Sequence, residues 1–214
     1  FKLLFMSKKY AQCGFVYVAT GNKYVEEAIY SANTLKKQHP DIPISLFSDA
    51  IPDVPFSHLF EHIFIITNPR YDYADKIEMI NSPYERTIFI DTDTICVDPI
   101  YELFDLLLNC DMVVHQNAEG YEYEYWNYNL NMAMPEFNTG LIGFVKSALI
   151  QKRFFEEWTR LYDQYKYLKL TDQFSFRLLM YHTSIRYCWI PNAYNFMIYF
   201  PNYTSLKAKI IHGR

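Results

Sequence analysis

Short, continuous apolar runs alternate along this chain with stretches in which apolar residues recur every three or four positions. Gly14 to Thr20 (GFVYVAT), Ile42 to Phe47, Ile63 to Thr67, Asp111 to His115, Phe137 to Val145 (FNTGLIGFV), Ile185 to Ile190 and Lys209 to His212 read as strands. Their side chains are apolar on both alternations, which is the pattern of strands covered on two faces. Between them, Lys23 to Lys37 places Val25, Ala28, Ile29, Ala32 and Leu35 at helical spacing and is stopped by His39-Pro40. Tyr73 to Asn81, Ile100 to Leu108, Ala148 to Tyr165 and Asp172 to Tyr181 are the other predicted helices, with Asp98-Pro99 as the expected cap and first-turn proline. Strand and helix patterns that alternate in this way predict an α/β domain with a mostly parallel central sheet.

One strand ends abruptly. In Thr87 to Pro99 (TIFIDTDTICVDP) the run Ile88, Phe89, Ile90 stops at Asp91-Thr92-Asp93, and apolar residues resume at Ile95 and Val97. The carboxyl ends of strands in open α/β sheets are where such folds bind ligands. Two carboxylates at i and i+2 in a turn can converge on one hard divalent cation and leave positions open for substrate phosphates. Solvated turn aspartates would give the same string, so the string gains weight only from its place at the end of a buried strand.

The 214 residues are 50% hydrophobic and 21% charged, the balance of a globular domain, and their length suits one. A net charge of −4 supplies no basic excess for binding nucleic acid. No stretch approaches the ~20 apolar residues of a membrane span. Cys13, Cys96, Cys110 and Cys188 lack metal-ligand or CxxC spacing, which predicts free thiols in a reducing compartment. With no signal-peptide core visible, a cytoplasmic enzyme of bacterial or large-virus origin is expected, cut from a longer parent protein. The 20 Tyr and 17 Phe offer flat faces suited to sugars and bases, although biased codon usage would also supply them. From Asn117 to Pro135 periodicity fails, with a Tyr-rich part at Tyr121 to Tyr128, and a loop this long inside a compact domain is expected to be functional or mobile.

Other positions carry candidate chemistry, each with a plainer reading beside it. Ala19, Thr20 and Tyr24 lie at the end of the first strand, where a nucleotide can stack and hydrogen-bond; an ordinary βα turn looks the same, and no G-x-G-x-x-G is present. Lys76 is useful only if a phosphate lies near its helix. Asn138, Thr139 and Gly140 put amide and hydroxyl groups at the start of a glycine-punctuated strand, where a β-bulge is the plainer account. Thr171, Asp172 and Gln173 open a helix, and capping would explain the first two. His212, at a strand end before Gly213 and Arg214, can complete an Asp/Asp/His set.

In order, FVYVATGNKY, Lys76, PYERTIFIDTDT, EFNTGLIGF, TDQFSF and IIHG resemble the GT-A fold glycosyltransferases, most nearly the family 8 and glycogenin-like group. The resemblance spans Gly14 to Gly213. It implies a single domain over 1–214 with a Rossmann-like sheet and a smaller antiparallel element on the acceptor side. It also implies transfer of a hexose or deoxyhexose from a UDP-sugar, such as UDP-glucose, to a hydroxyl of a glycan or glycoprotein. By the same resemblance Ala19, Thr20 and Tyr24 hold the uridine, and Lys76, Thr92, Gly213 and Arg214 lie at the diphosphate. Asp91, Asp93 and His212 then hold Mn²⁺ (Mg²⁺ as the alternative), and Asn138, Thr139 and Gly140 meet the donor sugar. Asp172 and Gln173 lie beside the anomeric carbon and the acceptor. The chain departs from the family's H-x-x-G-x-x-K-P-W continuation, reading His212-Gly213-Arg214. A sugar nucleotidyltransferase and a non-catalytic carbohydrate-binding domain are the competing readings.

Overall fold

The computed structural model describes residues 9–52, 54–117, 131, 133–168, 171–199 and 203–213. In chain order the elements are β1 (Cys13–Ala19), α1 (Asn22–Gln38), β2 (Ile44–Ser48), β3 (His62–Ile65), the 3₁₀ helix Tyr73–Asn81, β4 (Arg86–Ile90), β5 (Thr94–Cys96), α2 (Glu102–Leu106) and β6 (Met112–Gln116). There follow β7 (Phe137–Val145), α3 (Lys146–Gln151), α4 (Phe154–Tyr165), α5 (Asp172–His182), β8 (Tyr187–Ile190), β9 (Phe196–Met197) and β10 (Ile210–His212).

Seven strands form the central sheet in the order β3-β2-β1-β4-β7-β6-β8. β7 runs antiparallel to both β4 and β6, and the other pairings are parallel, so the sheet is mostly parallel, as expected. Alternate residues of each strand feed two cores. Phe15, Tyr17, Ile88 and Ile90 pack with Val25, Ala28, Ala32 and Leu35 of α1 and Leu103 and Phe104 of α2. Val16, Phe89, Ile142 and Phe144 face the other way, onto Ile77, Met79, Leu149, Phe154, Trp158 and Phe176. Helices on both faces explain why the strand sequences are apolar without alternation.

A three-stranded sheet, β5-β10-β9, stands apart, with β10 antiparallel to β5 and parallel to β9. It is the expected smaller element, mixed and not wholly antiparallel because β9 pairs in parallel, and it seats His212 opposite Thr94. The sequence pattern did not mark β5 or β9, which have three and two residues and follow no periodicity.

Three local expectations are corrected. Tyr73–Asn81 is a 3₁₀ helix, capped by Asp72, whose side chain accepts from Ala74 N at 2.8 Å. The Ala148 to Tyr165 helix is broken into α3 and α4 at Arg153, whose φ of 50° is left-handed. Asp98-Pro99 does not open α2, which begins at Glu102: Ile100 N donates to the buried His39 Nε2 at 2.8 Å, so the chain turns inward first. Cys188 is half-buried, whereas Cys13, Cys96 and Cys110 are buried; all four are free thiols. Among the described residues no helix is long and apolar enough to cross a membrane. The Tyr121 to Tyr128 insertion lies outside the described residues.

Candidate active site

The carboxyl edge of the sheet collects residues from β1, β4, β7, β10, α5 and the 3₁₀ helix. β4 delivers Asp91, whose backbone N–H donates to Gly140 O at 2.8 Å, so the two strands stay paired up to the site. Because β7 is antiparallel to β4, its beginning, not its end, reaches this edge, and Asn138, Thr139 and Gly140 arrive beside Asp91. On its other side β7 loses register with β6 between Val113 and His115, which pair with Gly143 and Asn138. The irregularity expected from the glycines and the placement of Asn138 to Gly140 at the site are the same feature.

Asp91, Asp93 and His212 each present one ligand atom, all within 4.8 Å of one another. His212 Nε2 is 3.1 Å from Asp93 Oδ1 and 3.9 Å from Asp91 Oδ2. Burial alone would raise the pKa of Asp93; His212 first, with a backbone hydrogen bond and the Lys76 charge added, outweighs it, and the net shift is downward. A Cβ on Gly140 would stand 2.2 Å from His212 Cε1, so only glycine leaves room for this ring. Gly213 has a φ of 90°, donates its N–H to Asp93 O at 3.1 Å and lies under the Tyr199 ring. Thr92 donates its hydroxyl to Glu27 Oε2 at 3.0 Å. Arg214 lies outside the described residues.

Lys76 projects from the 3₁₀ helix into the middle of the site. Its Nζ is 3.2 Å from Asp91 Oδ1, 3.2 Å from Thr139 Oγ1 and 3.5 Å from Asp172 Oδ2. Its side chain is only 12% exposed, so it is not the solvated helical lysine of the plainer reading. Burial works against the ammonium, but the carboxylates of Asp172 and Asp91 overcome it and raise its pKa. Burial pushes the Asp172 carboxyl up from its ordinary value, with Lys76 opposing and Asp91 adding to the shift. Thr171 caps α5 through Gln173 N at 3.3 Å. Capping therefore explains Thr171 but not Asp172, which is buried against Lys76. The Gln173 side-chain oxygen is buried with no hydrogen-bond partner among the described residues.

The turn after β1 is built around two carboxylates that the sequence reading did not single out. Asp75 accepts from Thr20 Oγ1, Arg70 N and Tyr71 N, each at 2.8 Å. Asp49, past the end of β2, accepts from Gly21 N at 2.9 Å and from the Tyr71 hydroxyl at 3.1 Å. Gly21 takes a φ of 92° there. Ala19 is buried, and Tyr24 is half exposed on the first turn of α1 with Lys23 Nζ 5.4 Å from its ring centre. No local signal distinguishes Asp49 or Asp75 in the sequence, since their partners lie up to 55 residues away.

No protein-family model and no curated protein sequence matches this chain. Solved structures do. The galactosyltransferase LgtC, crystallised with donor and acceptor sugar analogs, superposes with a TM-score of 0.72 at 14% identity, over 93% of this chain and 86% of LgtC. The glycosyltransferase GlyE of Streptococcus pneumoniae TIGR4 gives 0.68 at 13% identity, over 93% of this chain and 54% of GlyE. Mouse xyloside xylosyltransferase 1 gives 0.61 at 14% identity, over 94% of this chain and 97% of the mouse enzyme. The fold is that of the GT-A glycosyltransferases. At such identities the likeness establishes architecture, and function has to be argued from the site.

Proposed function

We propose that this protein is a divalent-cation-dependent glycosyltransferase that moves a hexose or deoxyhexose from a UDP-sugar to an acceptor hydroxyl on a glycan or glycoprotein. The observation that carries the reading is the meeting of Asp91, Asp93 and His212 with the Lys76–Asp172 pair at the carboxyl edge of a GT-A sheet. Two carboxylates and one imidazole fit Mn²⁺, with Mg²⁺ as the alternative. Such a cation, when bound, supplies Lewis-acid stabilisation to a departing diphosphate.

The protein's own groups divide the remaining work. Thr20, held by Asp75, and the half-exposed Tyr24 shape the place for the nucleoside. Lys76 adds a fixed positive charge beside the cation site, where it steadies the leaving group without reorganising. Asn138, Thr139 and Gly140 offer hydrogen-bonding groups to the edge of the sugar. Asp172 and the lone buried oxygen of Gln173 line the space where sugar and acceptor meet. There Asp172 takes the acceptor proton, forms or stabilises a glycosyl intermediate, or fixes a sugar hydroxyl.

The test is a panel of UDP-sugars incubated with the protein and Mn²⁺, with UDP release as the readout. Slow hydrolysis with one donor, abolished by chelation, is expected. No release from any donor, with UDP still bound, would favour a carbohydrate-binding role; release of pyrophosphate from UTP and a sugar phosphate would favour a nucleotidyltransferase.

A further inference from the structure

Behind the His212 imidazole lies an amide that belongs to none of the sequence motifs. Asn195, between the 3₁₀ turn Asn192–Tyr194 and β9, is fully buried. Its Oδ1 is 2.7 Å from His212 Nδ1, and its Nδ2 donates to Asn138 Oδ1 at 2.8 Å. That same Asn138 oxygen accepts from the backbone N–H of Gly140 at 2.9 Å.

The direction of this relay is fixed from its backbone end. A peptide N–H can only donate, so the Asn138 atom facing Gly140 is the oxygen. The Asn195 atom facing that oxygen must then be the nitrogen, which leaves the Asn195 oxygen facing the ring. An amide oxygen only accepts, so His212 Nδ1 carries a hydrogen. The other ring nitrogen, Nε2, is thereby the one presented to Asp91 and Asp93, 3.9 Å and 3.1 Å from their nearest carboxylate oxygens.

We propose that Asn195 is a positioning residue that holds His212 as a metal ligand through Nε2 and couples the cation site to Asn138. The inference rests on the metal-dependent reading above. It gives Asn195 two separable duties. Accepting from His212 Nδ1–H sets the tautomer and ring angle of a ligand, and donating to Asn138 sets how that side chain meets the donor sugar. An apolar residue of similar size would fill the same space and perform neither.

The experiment compares wild type, Asn195→Leu and Asn195→Asp by Mn²⁺ calorimetry, UDP and UDP-sugar titrations, and ¹⁵N NMR of the His212 ring in metal-free protein. Asn195→Leu is expected to weaken Mn²⁺ binding by about 10- to 100-fold, the usual loss when the partner of a ligating histidine is removed. Asn195→Asp still accepts from Nδ1–H but cannot donate to Asn138, so it should retain Mn²⁺ and UDP affinity and lose affinity for the intact UDP-sugar. A folded Asn195→Leu variant with wild-type Mn²⁺ affinity overturns the proposal, as does a His212 ring whose Nδ1 carries no hydrogen in the wild-type protein. Should Asn195→Leu not fold, Asn195→Asp decides: equal losses for Mn²⁺ and UDP-sugar would overturn the separation of duties. A wild-type protein that binds no divalent cation overturns the functional reading as well, which distinguishes the two failures.

Discussion

The His212 imidazole rests directly on the backbone of Gly140, so closely that a Cβ there would fall 2.2 Å from Cε1. The contact joins the only imidazole of the cation site to the strand that carries Asn138 and Thr139. Substituting Gly140→Ala should therefore act on the metal before it acts on the fold. Overpacking of this kind costs about 1–3 kcal/mol, and part of that is relieved if the ring swings away. We expect a modest drop in melting temperature and a much larger loss of Mn²⁺ affinity by calorimetry. Unchanged Mn²⁺ binding would mean that His212 is not a ligand.

Lys76 separates two carboxylates that are otherwise left facing each other, Asp91 and the buried Asp172. In Lys76→Met, Asp172 loses its counter-ion and its pKa rises further. A carboxyl whose folded pKa exceeds its unfolded value stabilises below the unfolded pKa, and that stability is lost as pH rises through the folded one. The variant should thus be least stable at neutral pH, by about 3–5 kcal/mol if the lone buried charge is kept. It should recover as pH falls toward 4. Adding Asp172→Asn should flatten the profile; denaturant melts across pH read both effects.

Asp172→Asn alone keeps size and shape but removes the charge. If Asp172 takes the acceptor proton, UDP-sugar affinity stays near wild type while transfer falls by about 10²–10⁴-fold. If it fixes a sugar hydroxyl, donor affinity falls too. Calorimetry with the intact donor, set beside turnover, separates the two; wild-type values for both would remove Asp172 from the site chemistry.

His39 lies far from this site, and its effect is on stability. Burial lowers its pKa to about 4, because a charged ring would lose water and also the acceptor that binds Ile100 N. His115, buried behind the site, is likewise lowered to about 4 by burial. The unfolded chain binds protons at these histidines below about pH 6.5, and the folded chain does not until about pH 4. Stability should hence decline as pH falls across that window, measured with chelator present so that cation binding does not contribute. His39→Gln should lessen the slope, leaving the part due to His115.

Much of the fold was legible because its strands are buried on two faces and its longest helix, α1, has a clear apolar stripe. The break at Arg153 was not, because nothing in the run from Ala148 to Tyr165 forbids a continuous helix; packing of α3 and α4 on the sheet decides it. Within the site, Asp91, Asp93 and His212 were readable from strand ends, where a polar residue after an apolar run stands out, and Asn138 from the polar start of a glycine-punctuated strand. Asp49, Asp75 and Asn195 were not. Each is an ordinary polar residue locally, and each is tied to the site by a partner distant in sequence: Gly21 for Asp49, Thr20 for Asp75, and His212 and Asn138 for Asn195.

The order in which these partners emerge has a consequence for biogenesis. Asp91 and Asp93 leave the ribosome long before Gly140, and His212 follows only with β10, which must add itself to β5 by pairing with Thr94. Until β10 emerges, the two carboxylates have neither the imidazole nor its seat. A chain synthesised only as far as β9 therefore lacks the imidazole of the proposed cation site, and the proposed set of three ligands is complete only once β10 has docked on β5.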